Sequence, residues 1–294
     1  MKVSVIGLGI MGGAVVRRLL SAQIEVTVYN RTKDKAQALV DEGARWVETP
    51  ADAARAADFV ITMVKDQHSV KALTLGENGI LAGMSDRCVH AEMSTVSPQS
   101  AADLENEYTK RGKKFVQAPV LGSKRQIEDS TLLIMAGGSR SAIESCQPVW
   151  QAFSKRTWSL GSAAEAAALK LSCNMLIAQM ILGLGQSMLF AQSFGIDPEQ
   201  LLDLLDHSAL GSAMYKSKGN SILADNFQAN FTVDNMLKDL ELARDAADGA
   251  GLSLLANNLA SSIFERATKS GFGDKDYSSV IKVLAEPKSE EKRL

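Results

Sequence analysis

Two groups of residues in this sequence are fit for chemistry. The first is Gly7-Leu8-Gly9-Ile10-Met11-Gly12, a G-x-G-x-x-G run. Its first glycine allows a tight turn, its second lets a pyrophosphate approach the backbone, and its third permits close helix packing. The second is Lys170, the one formal charge between Glu165 and Asp197 in an otherwise apolar stretch. An ammonium in such surroundings is paired, solvated by a cleft, or has its pKa lowered toward neutrality, and the last two conditions suit a proton-transfer catalyst. Asn174 lies one helical turn further on, so its amide points the same way and is fit to orient a ligand or the amine. A lysine that snorkels to the surface near a helix start is the alternative, and these residues alone leave both readings open.

The glycines have the context that a dinucleotide site needs. Lys2 to Ile6 (KVSVI) reads as a β-strand and Ala14 to Ala22 as a helix, with a second strand at Glu25 to Tyr29. A helix that starts at such a turn offers its N–H groups and positive dipole end to phosphates. At the end of the second strand, where an NAD enzyme would carry an acid for the ribose 2′-OH, stand Asn30, Arg31 and Thr32. An amide, a guanidinium and a hydroxyl suit a 2′-phosphate and hence NADP, the alternative being an exposed turn arginine.

Strands and helices go on alternating. Strands are expected at Arg45 to Val47, Phe59 to Val64, Cys88 to Met93, Lys114 to Val116, Thr131 to Ala136 and Thr157 to Leu160. Helices are expected at Lys33 to Glu42, Ala51 to Ala57, from Ser69, and at Gln99 to Arg111 and Ser141 to Phe153. This order implies an α/β fold, a Rossmann doubly wound parallel sheet covered on both faces, over residues 1–162. In such sheets ligands bind beyond the carboxyl ends of the strands. That places Met93-Ser94-Thr95-Val96 and the stretch Ala118 to Lys124 (APVLGSK) near the nicotinamide end of the cofactor, with Ser94, Leu121, Gly122, Ser123 and Lys124 assigned to the substrate; Met63 and Val64, at another strand end, are assigned to the cofactor with Thr95.

From Ala163 onward the pattern is helical, so residues 163–294 are expected to form an all-α domain for substrate binding and dimerisation. Ala163 to Ile196 reads as one helix, about 45 Å long at 1.5 Å per residue, that joins the two domains. Further helices are expected at Pro198 to His207, around Ser217 to Ala224, at Val233 to Ala250 and at Leu252 to Ser270, followed by a charged, frayed tail from Glu286 to Leu294. Lys238-Asp239 lies off the apolar stripe of its helix, and on pattern alone Asp234 and Lys238 read as an i,i+4 surface pair.

Composition narrows the function further. At 294 residues, 46% hydrophobic and 22% charged, the chain is an ordinary globular protein of two domains. A net charge of −2 argues against a nucleic-acid partner. Polar residues Asn174, Gln179, Gln186, Ser187 and Gln192 interrupt the long apolar helix, which argues against a membrane span. Three scattered cysteines and three scattered histidines form neither a disulfide framework nor a metal site. The first strand begins at the N-terminus with no room for a signal peptide, so a cytoplasmic location is expected.

Taken in order, these segments resemble the β-hydroxyacid dehydrogenase family, of the 3-hydroxyisobutyrate dehydrogenase type. The family pattern is a GLGxMG (Gly7 to Gly12), an MST after a central strand (Met93 to Thr95), an APVSG-type loop (Ala118 to Gly122), a KLxxN on a long helix (Lys170 to Asn174) and a KDL (Lys238 to Leu240). Gly122-Ser123-Lys124 followed by Glu128-Asp129, and the NRT at Asn30 to Thr32, look most like the glyoxylate/succinic semialdehyde reductase branch. The resemblance implies that Lys170 is the general acid/base, that Asn174 orients substrate, that Thr95 and Lys238 touch the cofactor, and that Gly122-Ser123 holds a substrate carboxylate through backbone N–H groups. One departure bears on the substrate: Leu121 stands where the family usually has serine. The expected activity is NADPH-dependent reduction of short aldehyde acids in a cleft at the domain junction, by a homodimer or higher homo-oligomer formed through the C-terminal domains. An imine or simple-carbonyl reductase, or a non-catalytic NADP-binding protein, are the competing readings.

Overall fold

The computed structural model of the chain describes residues 1–55 and 57–285; the charged tail from Glu286 lies outside them. The chain divides into two compact units, one ending at Leu171 and one beginning at Ser172.

The central strands of the first unit, at Lys2–Ile6, Phe59–Thr62 and Val89–Glu92, are buried along nearly their whole length, as parallel strands covered on both faces are. In chain order they are β1 (Lys2–Ile6), β2 (Glu25–Tyr29), β3 (Arg45–Trp46), β4 (Phe59–Thr62), β5 (Val89–Glu92), β6 (Lys114–Gln117), β7 (Val120–Leu121), β8 (Leu132–Gly138) and β9 (Ser154–Leu160). The helices between them are α1 (Ile10–Ser21), α2 (Gln37–Asp41), α3 (Pro50–Arg55), α4 (Gln67–Leu75), α5 (Ile80–Gly83), α6 (Pro98–Lys110), α7 (Lys124–Glu128) and α8 (Arg140–Trp150). The spatial order is β3-β2-β1-β4-β5-β6-β8-β7, with β9 on β8. Val3 and Val5 pack into one core with Val15, Val16 and Leu19 of α1, whereas Ile6 and Val60 join a second core with Ala53, Ala54 and Tyr108. Both faces of the sheet are therefore covered.

The sheet departs from the expected parallel arrangement at one side. The six strands from β3 to β6 pair parallel, but β8 runs antiparallel to β6 and to β7. Gln117 pairs with Gly137 and Val120 with Ile134, so β6 and β7 lie end to end along one edge of β8, joined through Pro119, whose carbonyl accepts the Met135 N–H at 3.0 Å. The stretch Ala118 to Lys124, read from sequence as a turn, thus contains the two-residue strand β7 and ends on the first residue of α7. Because β1 has β2 on one side and β4 on the other, the strand order reverses there, at the crevice beyond Gly7 and Met63.

Helix α9 (Ala163–Ser193) begins in the first unit and continues into the second. Among the described residues it is the one helix long and apolar enough to cross a membrane, and 44% of its most apolar window is buried inside the protein. Ala178, Ile181, Leu184 and Met188 of α9 form the core of the second unit with side chains from the helices that follow. These are α10 (Pro198–Asp206), α11 (Ala213–Leu223), α12 (Val233–Gly249), α13 (Leu255–Ala267) and the short α14 (Ile281–Leu284). Val233, Met236 and Leu240 of α12 meet Phe264 of α13 in that core, as the 3.6-residue spacing requires.

Candidate functional site

The glycine turn has the shape its spacing implies. Gly7 has φ +97°, and a Cβ there would lie 2.4 Å from the Met63 carbonyl oxygen. A Cβ at Gly12 would lie 1.9 Å from the Gly7 carbonyl oxygen, so α1 packs directly on the turn. At Gly9 a Cβ would meet nothing within 4 Å. Packing thus demands glycine at positions 7 and 12 but not at 9, where the backbone borders open space, as an approaching pyrophosphate needs. Helix α1 has no acid in its first turn and no side-chain cap at Gly9, which leaves its first N–H groups available to phosphates. Leu8 is buried, while Ile10 is 55% exposed and Met11 packs against the core.

Asn30 ties the end of β2 to this turn. Its Oδ1 accepts the Leu8 N–H at 3.1 Å and its Nδ2 donates to the Thr32 carbonyl at 2.8 Å. Arg31 and Thr32 beyond it are exposed. The local surroundings suit a 2′-phosphate, since a cation and a hydroxyl stand where an acid would repel it.

The ends of β4 and β5 are joined by a set of buried hydrogen bonds centred on Ser94. Its Oγ accepts the Val64 N–H at 2.8 Å, its own N–H donates to Glu92 Oε1 at 2.6 Å, and its carbonyl accepts from Gln117 Nε2 at 3.1 Å. Ser94 is 3% exposed, so it fastens the turn, with Thr95 half-buried beside it. Behind the turn, Thr62 Oγ1 contacts both Glu92 Oε2 and His90 Nε2, the latter at 2.9 Å, and His90 Nδ1 lies 2.5 Å from the Tyr108 hydroxyl. Glu92, His90 and Thr62 are fully buried. Burial pushes the Glu92 carboxyl up to about 7, against hydrogen bonds from Ser94 and Thr62 that lower it, and burial pushes His90 down to about 3.

The loop after β7 differs from its expected form. Gly122 has φ +138°, a conformation that favours glycine, and is exposed. Ser123 caps α7, and its N–H and hydroxyl both donate to Gln126 Oε1, at 2.8 and 2.6 Å. The Ser123 N–H expected to face a substrate carboxylate is therefore already engaged. Lys124 is exposed and pairs with Glu128 at 3.4 Å; Leu121 is half-buried.

On α9, Lys170 is half-buried and Asn174, one turn on, is 2% exposed. Asn174 Nδ2 donates to Asp239 Oδ2 at 2.5 Å, and Asp239 Oδ1 lies 2.7 Å from Lys238 Nζ. The surface pair read between Asp234 and Lys238 is thus replaced by another arrangement: Asp234 accepts from Thr268 at 2.8 Å, and Lys238 turns to its neighbour. Asp239, 1% exposed, joins two segments 65 residues apart and was not marked by its sequence position, since an acid beside a lysine reads as an ordinary surface pair.

The sheet order and glycine turn define a dinucleotide-binding protein. A family model described as the NAD binding domain of 6-phosphogluconate dehydrogenase matches residues 2–161, and one described as NAD-binding of NADP-dependent 3-hydroxyisobutyrate dehydrogenase matches residues 164–284. The chain belongs to the 3-hydroxyisobutyrate dehydrogenase family, and it is an NADP-dependent oxidoreductase. It is 37% identical to the uncharacterized oxidoreductase YfjR of Bacillus subtilis (strain 168), over 97% of this chain and 100% of that one. It is 32% identical to glyoxylate/succinic semialdehyde reductase 1 of Arabidopsis thaliana, over 97% of this chain and 98% of that one. Among solved structures, Psf3 in complex with NADP+ and 2-OPP matches with a TM-score of 0.89 and 25% identity, over 96% of this chain and 99% of that one.

The environment of Arg31 predicts that NADPH is preferred to NADH in kcat/KM. Arg31→Asp should lower kcat/KM for NADPH by about tenfold or more, the scale of a hydrogen bond to a charged group, while changing NADH little. Steady-state rates with both cofactors test this, and equal use of NADH by the unaltered protein would remove Arg31 from the phosphate site.

Proposed function

We propose that the protein reduces short aldehydes bearing a carboxylate, such as glyoxylate or succinic semialdehyde, with Lys170 as the general acid. The observation that carries this reading is the buried contact of Asn174 with the Asp239–Lys238 pair, because it joins the KLxxN and KDL segments through one carboxylate. Asn174 is thereby held in a fixed orientation one turn from Lys170. NADPH, when bound, supplies the hydride to the carbonyl carbon. Gly7, Gly9 and Gly12 with the start of α1 would hold its pyrophosphate, Asn30, Arg31 and Thr32 its 2′-phosphate, and Met63, Val64, Thr95 and Lys238 its remaining contacts. Lys170 gives its proton to the carbonyl oxygen as negative charge develops there. Residues 1–162 act as the cofactor domain and residues 163–294 as the substrate and dimerisation domain of a cytoplasmic enzyme. Exposed Leu176, Phe190, Phe194 and Leu204 in the second unit support a homodimer formed through that domain.

The relative in Arabidopsis thaliana named for glyoxylate and succinic semialdehyde supports the substrate class. With the Ser123 N–H occupied by Gln126, the charge of Lys124 carries carboxylate recognition; its exposed pairing with Glu128 is weak and easily exchanged. Glyoxylate and succinic semialdehyde should be reduced faster than an uncharged aldehyde of similar length. Leu121 favours a longer methylene spacer by roughly fourfold per buried methylene, about 0.8 kcal/mol, so Leu121→Ser should shift kcat/KM toward glyoxylate. Lys124→Ala should raise KM for both acids and spare the uncharged aldehyde. A panel of such aldehydes and a cyclic imine with NADPH tests the reading, and an uncharged aldehyde or the imine as best substrate would overturn it.

A further inference from the structure

We infer that Glu92 is a positioning residue that fixes the two cofactor-facing strand ends, Val64 and Ser94–Thr95, through a hydrogen-bond chain running inward to Tyr108. The inference rests on the reading that these strand ends line the cofactor site.

The geometry gives each member of the chain a definite role. Glu92 Oε1 holds the Ser94 N–H, and Ser94 so held offers its Oγ to the Val64 N–H. One carboxyl thus sets the spacing between the ends of β4 and β5. Its other oxygen leads through Thr62 and His90 to Tyr108. This chain has two polarities. With Glu92 ionised, Tyr108 O–H donates to His90 Nδ1, His90 Nε2–H to Thr62 Oγ1, and Thr62 O–H to the carboxylate, which accepts from Thr62 and Ser94 together. With Glu92 protonated, its O–H donates to Thr62, Thr62 donates to His90 Nε2, and His90 Nδ1–H donates to Tyr108. With Glu92 ionised every hydrogen of the chain finds an acceptor within it, whereas with Glu92 protonated Tyr108 becomes an acceptor and its own hydrogen must leave the chain, so one proton on Glu92 selects the direction. The Ser94 N–H is held more strongly in the ionised form, where the bond is charge-assisted.

Among the described residues, the strand neighbours that pair with Glu92 are uncharged: Thr62 on β4 and Gln117 on β6. His90 on its own strand is kept neutral by burial, and so is the Tyr108 hydroxyl of α6, which burial pushes up. Cys88 at the start of the same strand is also pushed up by burial, and Arg111 follows α6. Helix α9, whose Ala163 and Ala167 join the core around Tyr108, carries Lys170 one turn further on. With the Glu92 carboxyl raised to about 7, the chain reverses within the neutral range.

NADPH affinity, followed by cofactor fluorescence from pH 6 to 9, tests the inference without a substrate. Glu92→Gln keeps the shape and an acceptor for the Ser94 N–H, but presents an N–H donor to Thr62 at every pH. The ratio of its dissociation constant to that of the unaltered protein should be near one at pH 6 and threefold or more at pH 8. Titration of the cofactor's 2′-phosphate is common to both proteins and cancels in the ratio. Thr62→Val removes a donor that stabilises the carboxylate and should move the midpoint of the pH dependence upward, whereas a merely structural contact would weaken binding alike at all pH values. A flat ratio for Glu92→Gln, or an unmoved midpoint for Thr62→Val, overturns the inference. Thr95→Val serves as the separate check: if it leaves NADPH affinity unchanged, the cofactor does not contact this turn and both the reading and the inference fall. If Thr95→Val weakens binding while the ratio stays flat, the inference alone falls.

Discussion

Lys170→Ala is expected to leave NADPH affinity within about twofold and to cut kcat by roughly 10² or more, the usual scale for loss of a general acid. Lys170 is assigned to the chemistry and the glycine turn to the nucleotide. Gly7 and Gly12 are set by close packing, of the turn against Met63 and of α1 against Gly7. Lys170 is half-buried, so the variant does not remove a member of the fully buried core. It should therefore fold and bind cofactor. Fluorescence titration with NADPH separates binding from turnover, and a burst experiment separates chemistry from product release. Lys170→Arg makes the test sharper, since it keeps the positive charge while offering a proton from a group with a pKa above 12. Little recovery in that variant marks proton transfer, and full recovery marks electrostatic support. Near-normal kcat in folded Lys170→Ala would reduce the residue to a structural lysine that snorkels from the helix start.

Much of the fold was legible because hydrophobic period and turn chemistry agree along the chain. β2 falls at Glu25–Tyr29 as expected, and β1, with Val3, Val5 and Ile6 at 1% exposure or less, is the kind of apolar run that only a strand buried on both faces shows. The region from Ala118 to Glu128 was less legible for physical reasons. β7 is only two residues long and α7 five, too short for any period, and the signal for α7 is the Ser123–Gln126 capping box, which a glycine-serine turn conceals. The direction of β8 was not readable either, since a run such as Leu132 to Ala136 fits a parallel or an antiparallel neighbour equally well. At the candidate site, motif spacing marks Lys170, Asn174 and Lys238 for their proposed roles. It marks neither Asp239, which meets Asn174 and Lys238, nor Glu92, His90 and Tyr108, which stand behind Ser94. Their partners lie 65, 30, 28 and 18 residues away, and a polar side chain inside a strand or beside a lysine announces nothing until those partners are brought to it.

Asp239→Ala should be strongly damaging to the second unit. The carboxylate is 1% exposed; its Oδ2 accepts from Asn174 at 2.5 Å and its Oδ1 lies 2.7 Å from the Lys238 ammonium. Truncation leaves the two groups in different positions. The Lys238 side chain is 22% exposed and can turn toward water, whereas Asn174 at 2% exposure loses the Asp239 acceptor inside the core. Breaking a buried pair by removing one partner destabilises by about 3–5 kcal/mol, and the partial exposure of Lys238 places this case near 3. For a protein of this size that corresponds to a fall in Tm of roughly 6–12 °C. Activity should fall further than stability alone explains, because the same carboxylate orients Asn174 beside Lys170 and holds Lys238. Asp239→Asn separates the two effects: its volume is unchanged and one oxygen still accepts, so most of the Tm should return, while its amide hydrogens face one of the two donors and misdirect it. A variant with recovered Tm and kcat still depressed tenfold or more would mark Asp239 as orienting the site through Asn174 and Lys238. Unchanged kcat in a folded Asp239→Ala, with Tm within about 2 °C, would mean that neither donor depends on the carboxylate.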